Sequence, residues 1–368
     1  MGKTGTSLGG LALQKFSKNF WGVLSLGIIC FYALVAIFAY LLAPDNSRNA
    51  NQMHISIHSQ PPGFAVDMVK IPLDIETSQN FIDRWVNGRI PEFDEIPIAS
   101  LDFKDGNLFY TPFDVDGNEL QEEALSVEIS DEEAFKRFRE SNTYRKTFLL
   151  GTDKYGRDLL SRMMVGARVS ISIGFIAVLI SLLIGVTLGA IAGFYGGTAD
   201  ALIMWIINVT WSIPTLLMVI AISIALGKGF FTVFIAVGLT MWVEVARVVR
   251  GQVIVAKEYQ YVTAARALGY SDLRIIAKHI LPNVMSPIIV ICAANFSAAI
   301  LIESGLSFLG LGAQPPTPSW GSMIKDHYQY IILDKEYLAL VPGIAIMTLV
   351  MAFMLVGNAL RDALDVKT

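Results

Sequence analysis

The chain has 368 residues, 54 % of them hydrophobic and 16 % charged, with a mean hydropathy of +0.53. Soluble domains carry about 25 % charged residues, so the composition excludes an ordinary soluble enzyme and points to a membrane protein. The net charge of −4 is unevenly spread: residues 45–146 hold 20 acidic and 10 basic side chains, while the rest of the chain holds 12 acidic and 18 basic.

A membrane span needs about 20 mostly apolar residues. The opening MGKTGT fits a myristoylation pattern, but a chain with several spans gains nothing from one acyl chain. The first apolar run, Phe20–Leu42, follows Lys3, Lys15 and Lys18. It exceeds the 7–15 residues of a signal-peptide core and reads as an uncleaved anchor.

The acidic segment comes next and carries soluble signals. SLDFKDGNLFYT is two alternating runs about Asp105-Gly106, a hairpin signature. DVDGNEL offers a second turn at Asp116-Gly117, and SDEEAFKRFRE opens with Ser130 and has Glu133 three residues on, a capping box. His54 and His58 sit in HISIHS, which alternates like a strand and so argues against a metal site. A small α+β insert is expected here. LGTDKYGRDLLSRMMVGARVS follows, with Leu159, Leu160, Met163 and Met164 on one face and Arg157, Asp158, Arg162 and Arg168 elsewhere; it reads as an interfacial helix leading into the second span.

Five further runs complete a six-span pattern: Val169–Phe194, Ala201–Leu226, Phe230–Val248, Val284–Leu311 and Leu338–Leu360. Within the third, NVTWSIPTLL places Asn208, Trp211, Ser212 and Pro214. Proline kinks a helix and frees a carbonyl. Two readings stand: a kink satisfied by a neighbouring helix, or a lining for a translocation cavity. Glu303 reads as the ionisable residue most clearly inside a span, roughly 28 Å along the fifth. Helix packing or support of an outer gate suits it better than proton relay. Cys30 and Cys292 lie in apolar runs and make no disulfide framework. Asn208-Val-Thr210 and Asn295-Phe-Ser297 match the glycosylation pattern only by chance, being in apolar runs.

No catalytic centre is visible. The nucleotide-cradling G-x-x-x-x-G-K-S/T pattern is absent, as are G-x-S-x-G and His-Glu-x-x-His. The chain is read as a non-enzyme that binds no cofactor, metal or nucleic acid. Orientation follows the bias of Lys and Arg toward cytoplasmic loops. The densest basic stretch holds Arg247, Arg250, Lys257, Arg266, Arg274 and Lys278. Placing it inside puts both termini inside and the acidic insert outside.

That stretch contains EYQYVTAARALGYSDLRIIAKHILPN, Glu258–Asn283. It reads as two short helices: Val262, Ala265 and Leu268 are apolar on the first, Leu273, Ile276 and Ile280 on the second. Gly269 suits the left-handed residue that ends a helix, Ser271 can cap the next, and Pro282 marks a break. A DNA-binding helix-turn-helix has the same outline, but both flanks enter the membrane. A docking element for a cytoplasmic protein fits better.

Here the chain resembles a known family. AARALG followed by LPN resembles the coupling motif of ABC-importer permeases, E-A-A, three residues, G, nine residues, I-x-L-P. Ala264, Ala265, Gly269, Leu281 and Pro282 match in register; Thr263 stands where Glu is usual and His279 where Ile is usual. LGTDKYGRDLLSRMMVGARVS, KHILPN and ESGLSFLGLGAQPPTPSWGSMI resemble the second permease of the oligopeptide, dipeptide and nickel importers. The resemblance implies an all-α polytopic protein of the ABC type I importer permease fold, in a bacterial inner membrane. It divides as 1–44, with the first span; 45–149, the extracytoplasmic insert; and 150–368, the permease core with its coupling loop at 249–283. It further implies a second homologous permease, two ATPase subunits that carry ATP and Mg, and an external solute-binding protein. Short peptides are the leading substrate class, ahead of nickel chelates. Two alternatives are an ion-coupled secondary transporter and a membrane anchor for a working outer domain.

Overall fold

The computed structural model describes residues 8–73, 78–104, 107–115, 121–128, 131–227 and 229–364. The expectations resting on the N-terminal MGKTGT and Lys3, on Asp105-Gly106, Asp116-Gly117 and Ser130, and on Lys367 lie outside the described residues. A short helix α1 (Leu8–Ser17) precedes α2 (Phe20–Ile37), whose first turn is capped by Asn19 accepting from the Gly22 N–H at 3.0 Å. α2 is mostly unburied and leans on the last helix, with Tyr32 and Thr348 hydroxyls 2.8 Å apart. A turn of helix, α3 (Ala39–Leu42), ends the run.

The insert then forms a five-stranded antiparallel sheet, ordered β4-β3-β2-β1-β5. The strands are β1 (Phe64–Pro72), β2 (Phe93–Lys104), β3 (Asn107–Pro112), β4 (Glu123–Glu128) and β5 (Thr143–Phe148). β2 and β3 pair up to Lys104↔Asn107, so the hairpin forms where the alternation demanded it. Val69, Ile98, Leu101 and Leu108 make its core, covered by Phe135 and Phe138 of α5 (Glu132–Asn142), which lies between β4 and β5 in the chain. Asp131 caps α5, accepting from the Ala134 N–H at 2.7 Å. Between β1 and β2, α4 (Phe81–Asn87) returns to the top of the first span: Trp85 Nε1 donates to the Ile37 carbonyl at 2.7 Å. His54 and His58 flank a 3-10 turn, Ile55–Ile57, and not a strand.

Among the described residues, five helices are long and apolar enough to cross a membrane, α2 among them. The next two are α6 (Leu159–Tyr195) and α9 (Phe230–Ala256). They press together because Gly185, Gly189 and Gly193 recur on one face. A Cβ at Gly185 would stand 2.6 Å from Val245 Cβ, and one at Gly189 would stand 2.5 Å from the Ala246 carbonyl oxygen. Small residues four apart let two helix backbones meet this closely in a bilayer. The last two spans are α12 (Met285–Phe308) and α14 (Tyr337–Leu364), with α13 (Trp320–His327) between them.

The expected third span differs from the kinked continuous helix the proline suggested. It is two helices, α7 (Gly197–Trp211) and α8 (Thr215–Leu226), bent by 90°. Pro214 has no N–H to give and disfavours a helical residue before it, so the ladder stops there. The pair makes a sixth crossing only if both halves are counted as one span.

The expected interfacial helix at 150–170 is also different. Arg157, Asp158, Leu159 and Arg162 are all buried, and the segment forms the packed start of α6. The charges that made it look amphipathic turn inward, although Arg162 Nε pairs with Asp153 only at 3.5 Å and makes no hydrogen bond.

Candidate functional site

Three places gather the candidate residues. The first lies at the end of α9 remote from the sheet. α10 (Gln260–Ala267) is followed by α11 (Asp272–Ile275), a π turn at Ile276–Ile280 and a 3-10 turn at Leu281–Val284 that runs on into α12. Gly269 has φ +75°; its N–H donates to Arg266 at 2.9 Å and the Tyr270 N–H to Ala265 at 3.2 Å. This crossed pair is the Schellman ending that favours glycine. Ser271 stands before α11 but makes no side-chain cap. Pro282 opens the 3-10 turn, so it bends the path into α12 and does not break it.

The two faces of this hairpin differ from the expected arrangement. Val262, Ala265, Ile275, Ile276 and Ile280 are buried together with Val249 and Val253 of α9. Ala265 is 4 % exposed and faces this chain's own core. The outward face carries Thr263, Ala264, Gly269 and Pro282, with Leu281 half-buried. It also carries two residues that helical spacing groups with the buried apolar ones: Leu268 at 72 % and Leu273 at 76 % exposure. Leu273 lies in the first turn of α11, ahead of the π turn that shifts the helical phase of Leu281 and Pro282. His279 stacks on Tyr270 at 5.6 Å, and Arg274 lies 4.1 Å from the same ring. The residue that departs from the motif thus braces the turn.

The second place is the bend between α7 and α8. Trp211 is exposed, and the Arg247 guanidinium lies 3.6 Å from its ring centroid. Arg247 also donates to Asn208 Oδ1 at 2.7 Å. Ser212 Oγ donates to the Val209 carbonyl at 2.7 Å and so finishes α7, leaving Pro214 between the halves. Of these four, Trp211 lines the cleft at the bend, while Asn208 is joined to it through Arg247 and Ser212 and Pro214 lie in the turn between the two helices. Nearer the far side, Arg250 makes a two-pronged bond to Asp200, the second prong at 2.6 Å. Sequence reading missed Glu244 and Arg247 as charges inside a span, although V-E-V-A-R is plain at 243–247 in the fourth apolar run.

The third place lies on the sheet side. Glu303 is fully buried; Ser307 Oγ donates to it at 2.7 Å and Ser170 Oγ lies 3.4 Å away. Ser319 caps α13 and reaches Ser307 at 3.2 Å, and the Trp320 indole donates to the Met163 carbonyl at 3.0 Å. Glu303 thus ties α12 to α6 and to the α13 cap, with no route to solvent of its own. Beside it, Asp153 is a hub. Its Oδ1 accepts from the Tyr155 and Arg157 N–H groups at 2.8 and 3.0 Å, and its Oδ2 from Arg157 Nε at 2.7 Å. Arg162 Nε lies 3.5 Å from the same oxygen. Arg157 goes on to Asn51 and Arg162 to the Asn49 carbonyl, so the hub fastens the strands' connecting leg to α6. The nearby His54 is held neutral: burial and then the Lys146 charge lower its pKa to about 4.

A bundle of long apolar helices, a broken span with a polar bend and a helical hairpin at one end define a membrane permease. A family model for the inner membrane component of binding-protein-dependent transport systems matches residues 185–368, and one for the N-terminal membrane domain of oligopeptide transport permease C matches residues 7–62. The chain belongs to the binding-protein-dependent transport inner membrane component family, the permeases of ABC importers. Neither match reaches residues 63–184, where the whole sheet lies. Among curated relatives, the oligopeptide transport permease OppC of Bacillus subtilis is 44 % identical over 222 residues, 60 % of this chain and 72 % of that one. The dipeptide permease DppC of the same organism is 44 % identical over 217 residues, 59 % and 68 % of the two chains. The glutathione permease GsiD of Pectobacterium atrosepticum is 41 % identical over 218 residues, 59 % and 72 %.

Proposed function

We propose that this chain forms one half of the translocation path of an ABC importer for short peptides, opposite a second homologous permease. The path runs past Asn208, Trp211, Ser212 and Pro214, and the hairpin at 258–283 receives the push of two ATPase subunits that carry ATP and Mg. The peptide class is supported by the printed activities of the relatives, oligopeptide, dipeptide and glutathione transport. The basic residues of the hairpin and its approach support a cytoplasmic position for it and for both termini. The sheet then lies outside, where a solute-binding protein arrives, and the Glu303 tie braces the outer end of the path.

The observation that carries the coupling assignment is the pair Leu268 and Leu273, exposed on either side of Gly269. Large apolar groups on a polar loop mark a contact surface. Leu273→Asp, combined with Leu268→Asp, changes only exposed side chains and tests the contact without disturbing the core. Ala265→Asp would not discriminate, because it would bury a charge in this chain's own packing. The double variant is expected to reach the membrane at normal abundance and melting temperature, to lose the ATPase subunits on purification, and to lose uptake. Uptake near wild type with the ATPases still attached would refute the docking role.

A further inference from the structure

The 90° bend between α7 and α8 leaves a cleft of about 150 Å³ against α9 and α12, lined by Trp211, Thr215, Met218, Thr240, Glu244 and Ile302 among others. Glu244 is exposed to it. It lies about 21 Å along α9 from Phe230 and about 9 Å short of Arg250, so it stands within the membrane's depth. Its basic neighbour is already engaged: Arg247 is bound to Asn208 and stacked on Trp211. Among the described residues, Glu244 itself has no hydrogen bond or ion pair, unlike Asp200, which is held by Arg250.

A carboxylate at membrane depth is costly and is retained where it faces water, a cation or a partner. Here it faces a cleft with room for about five waters at ~30 Å³ each. That volume suits an ammonium head with residual water and is too small for a whole peptide. We propose that Glu244 is a cation-selecting point of the path that receives an alkylammonium group of the passing substrate. This rests on the reading of the bend as part of that path. The two sources of such a group are a peptide amino terminus and a lysine side chain. A field of one sign in a low-dielectric cleft raises the local concentration of the opposite charge by about 10–10³-fold.

The test uses the assembled transporter in proteoliposomes, with Cys30 and Cys292 replaced and Met218→Cys introduced into the cleft. Rates of modification are compared for a trimethylammonium and a sulfonate methanethiosulfonate of similar size. With Glu244 present the cationic reagent should react about tenfold or more faster, and Glu244→Gln should bring the ratio near one. Protection of Met218→Cys by trialanine would assign the substrate's amino terminus. Protection only by N-acetyl-Ala-Lys-Ala would assign the lysine side chain. Protection by neither would overturn the substrate contact. Equal rates with Glu244 present would sink the cation site while leaving the path intact. Charge bias in this chain alone that vanishes on assembly would also sink it, since Glu244 would then be neutralised by the second permease. No reaction with either reagent would mean the cleft is not wet, and the path reading would fall as well.

Discussion

The two polar stretches that flank the membrane helices use their side chains in opposite ways. Around Asp153 the protein buries charges: Arg157 and Arg162 are 3 % and 4 % exposed, and every bond they make is internal. Around Gly269 it exposes hydrophobics, leaving Leu268 and Leu273 without cover. A buried, mutually paired set of charges fixes two elements in one arrangement. An exposed apolar pair does nothing for this chain alone and is explained by a partner. The hub is therefore a clamp between sheet leg and core, and the hairpin, on the proposed coupling role, a moving contact. Leu273→Asp should separate them cleanly, because it spares the fold while Asp153→Ala should not.

The largest effect is expected at the hub. Asp153→Ala removes the acceptor of Arg157 and the counter-charge of Arg162, and breaking a buried pair costs about 3–5 kcal/mol. Marginal membrane chains should then be degraded, with little protein recovered. Replacing the whole set, Asp153→Leu with Arg157→Met and Arg162→Met, leaves no unpaired charge and should restore much of the yield. Equal yields of Asp153→Ala and the wild type, by quantitative blot and thermal denaturation in detergent, would show that the clamp is elsewhere.

A second prediction sharpens the comparison by pH. His54 sits at the same seam, with Nε2 buried and without a partner. Its folded pKa of about 4 lies below its ordinary 6.5, so between these values the unfolded chain binds a proton that the folded chain refuses. Stability therefore falls as pH drops from 6.5 toward 4, by on the order of 3 kcal/mol for the full shift. Glu95 contributes only further down: burial raises its carboxyl, but the Lys146 charge together with hydrogen bonds from Lys146 and Tyr144 outweighs this and holds it below the usual range. Melting temperatures at pH 7 and pH 5 isolate the histidine, and His54→Leu should flatten the difference. A slope unchanged in His54→Leu would assign the acid sensitivity to another group.

Much of this fold is legible in the chain, and the failures share a cause. The β2–β3 hairpin follows from alternation, which is local, whereas the insert's helix starts one residue later than the Ser130 capping box implies, with Asp131 as its cap. The Gly269 turn is legible because a positive φ demands a particular residue. The readings of Arg157 and Arg162 failed because helical spacing tells which residues share a face and not what that face meets. Arg162 looked like solvent-facing charge until Asp153, nine residues back, was folded onto it. Leu273 shares its spacing with Ile276 and Ile280, yet it is exposed in the first turn of α11 while they are buried. Glu244 was overlooked because its apolar neighbours masked it. Its environment depends on the 90° bend at Pro214, which a proline suggests but whose size the neighbouring helices set. The recurrence of Gly185, Gly189 and Gly193 was readable as close packing, though not that α9 was the partner.

The smallest expected effect lies in the hairpin's own turn. A Cβ at Gly269 would meet nothing within 4 Å, so no clash attends substitution there. What remains is the backbone cost of φ +75°, about 1–2 kcal/mol for a residue with a side chain. Asparagine tolerates this conformation better than other residues, because its short amide can bond locally. Gly269→Asn should therefore leave uptake close to wild type, Gly269→Ala should lower it modestly, and Gly269→Val should lower it further. The order matters more than any single value. The Asp153 clamp has one arrangement to hold and fails when its charges are unpaired, whereas the turn must only keep Leu268 and Leu273 on one surface. A small loss of turn stability should then tilt α11 and weaken docking without unfolding the chain. If Asn, Ala and Val variants transport alike at equal membrane abundance, the left-handed turn does not set the position of the docking leucines, and the rigid-turn account of coupling fails.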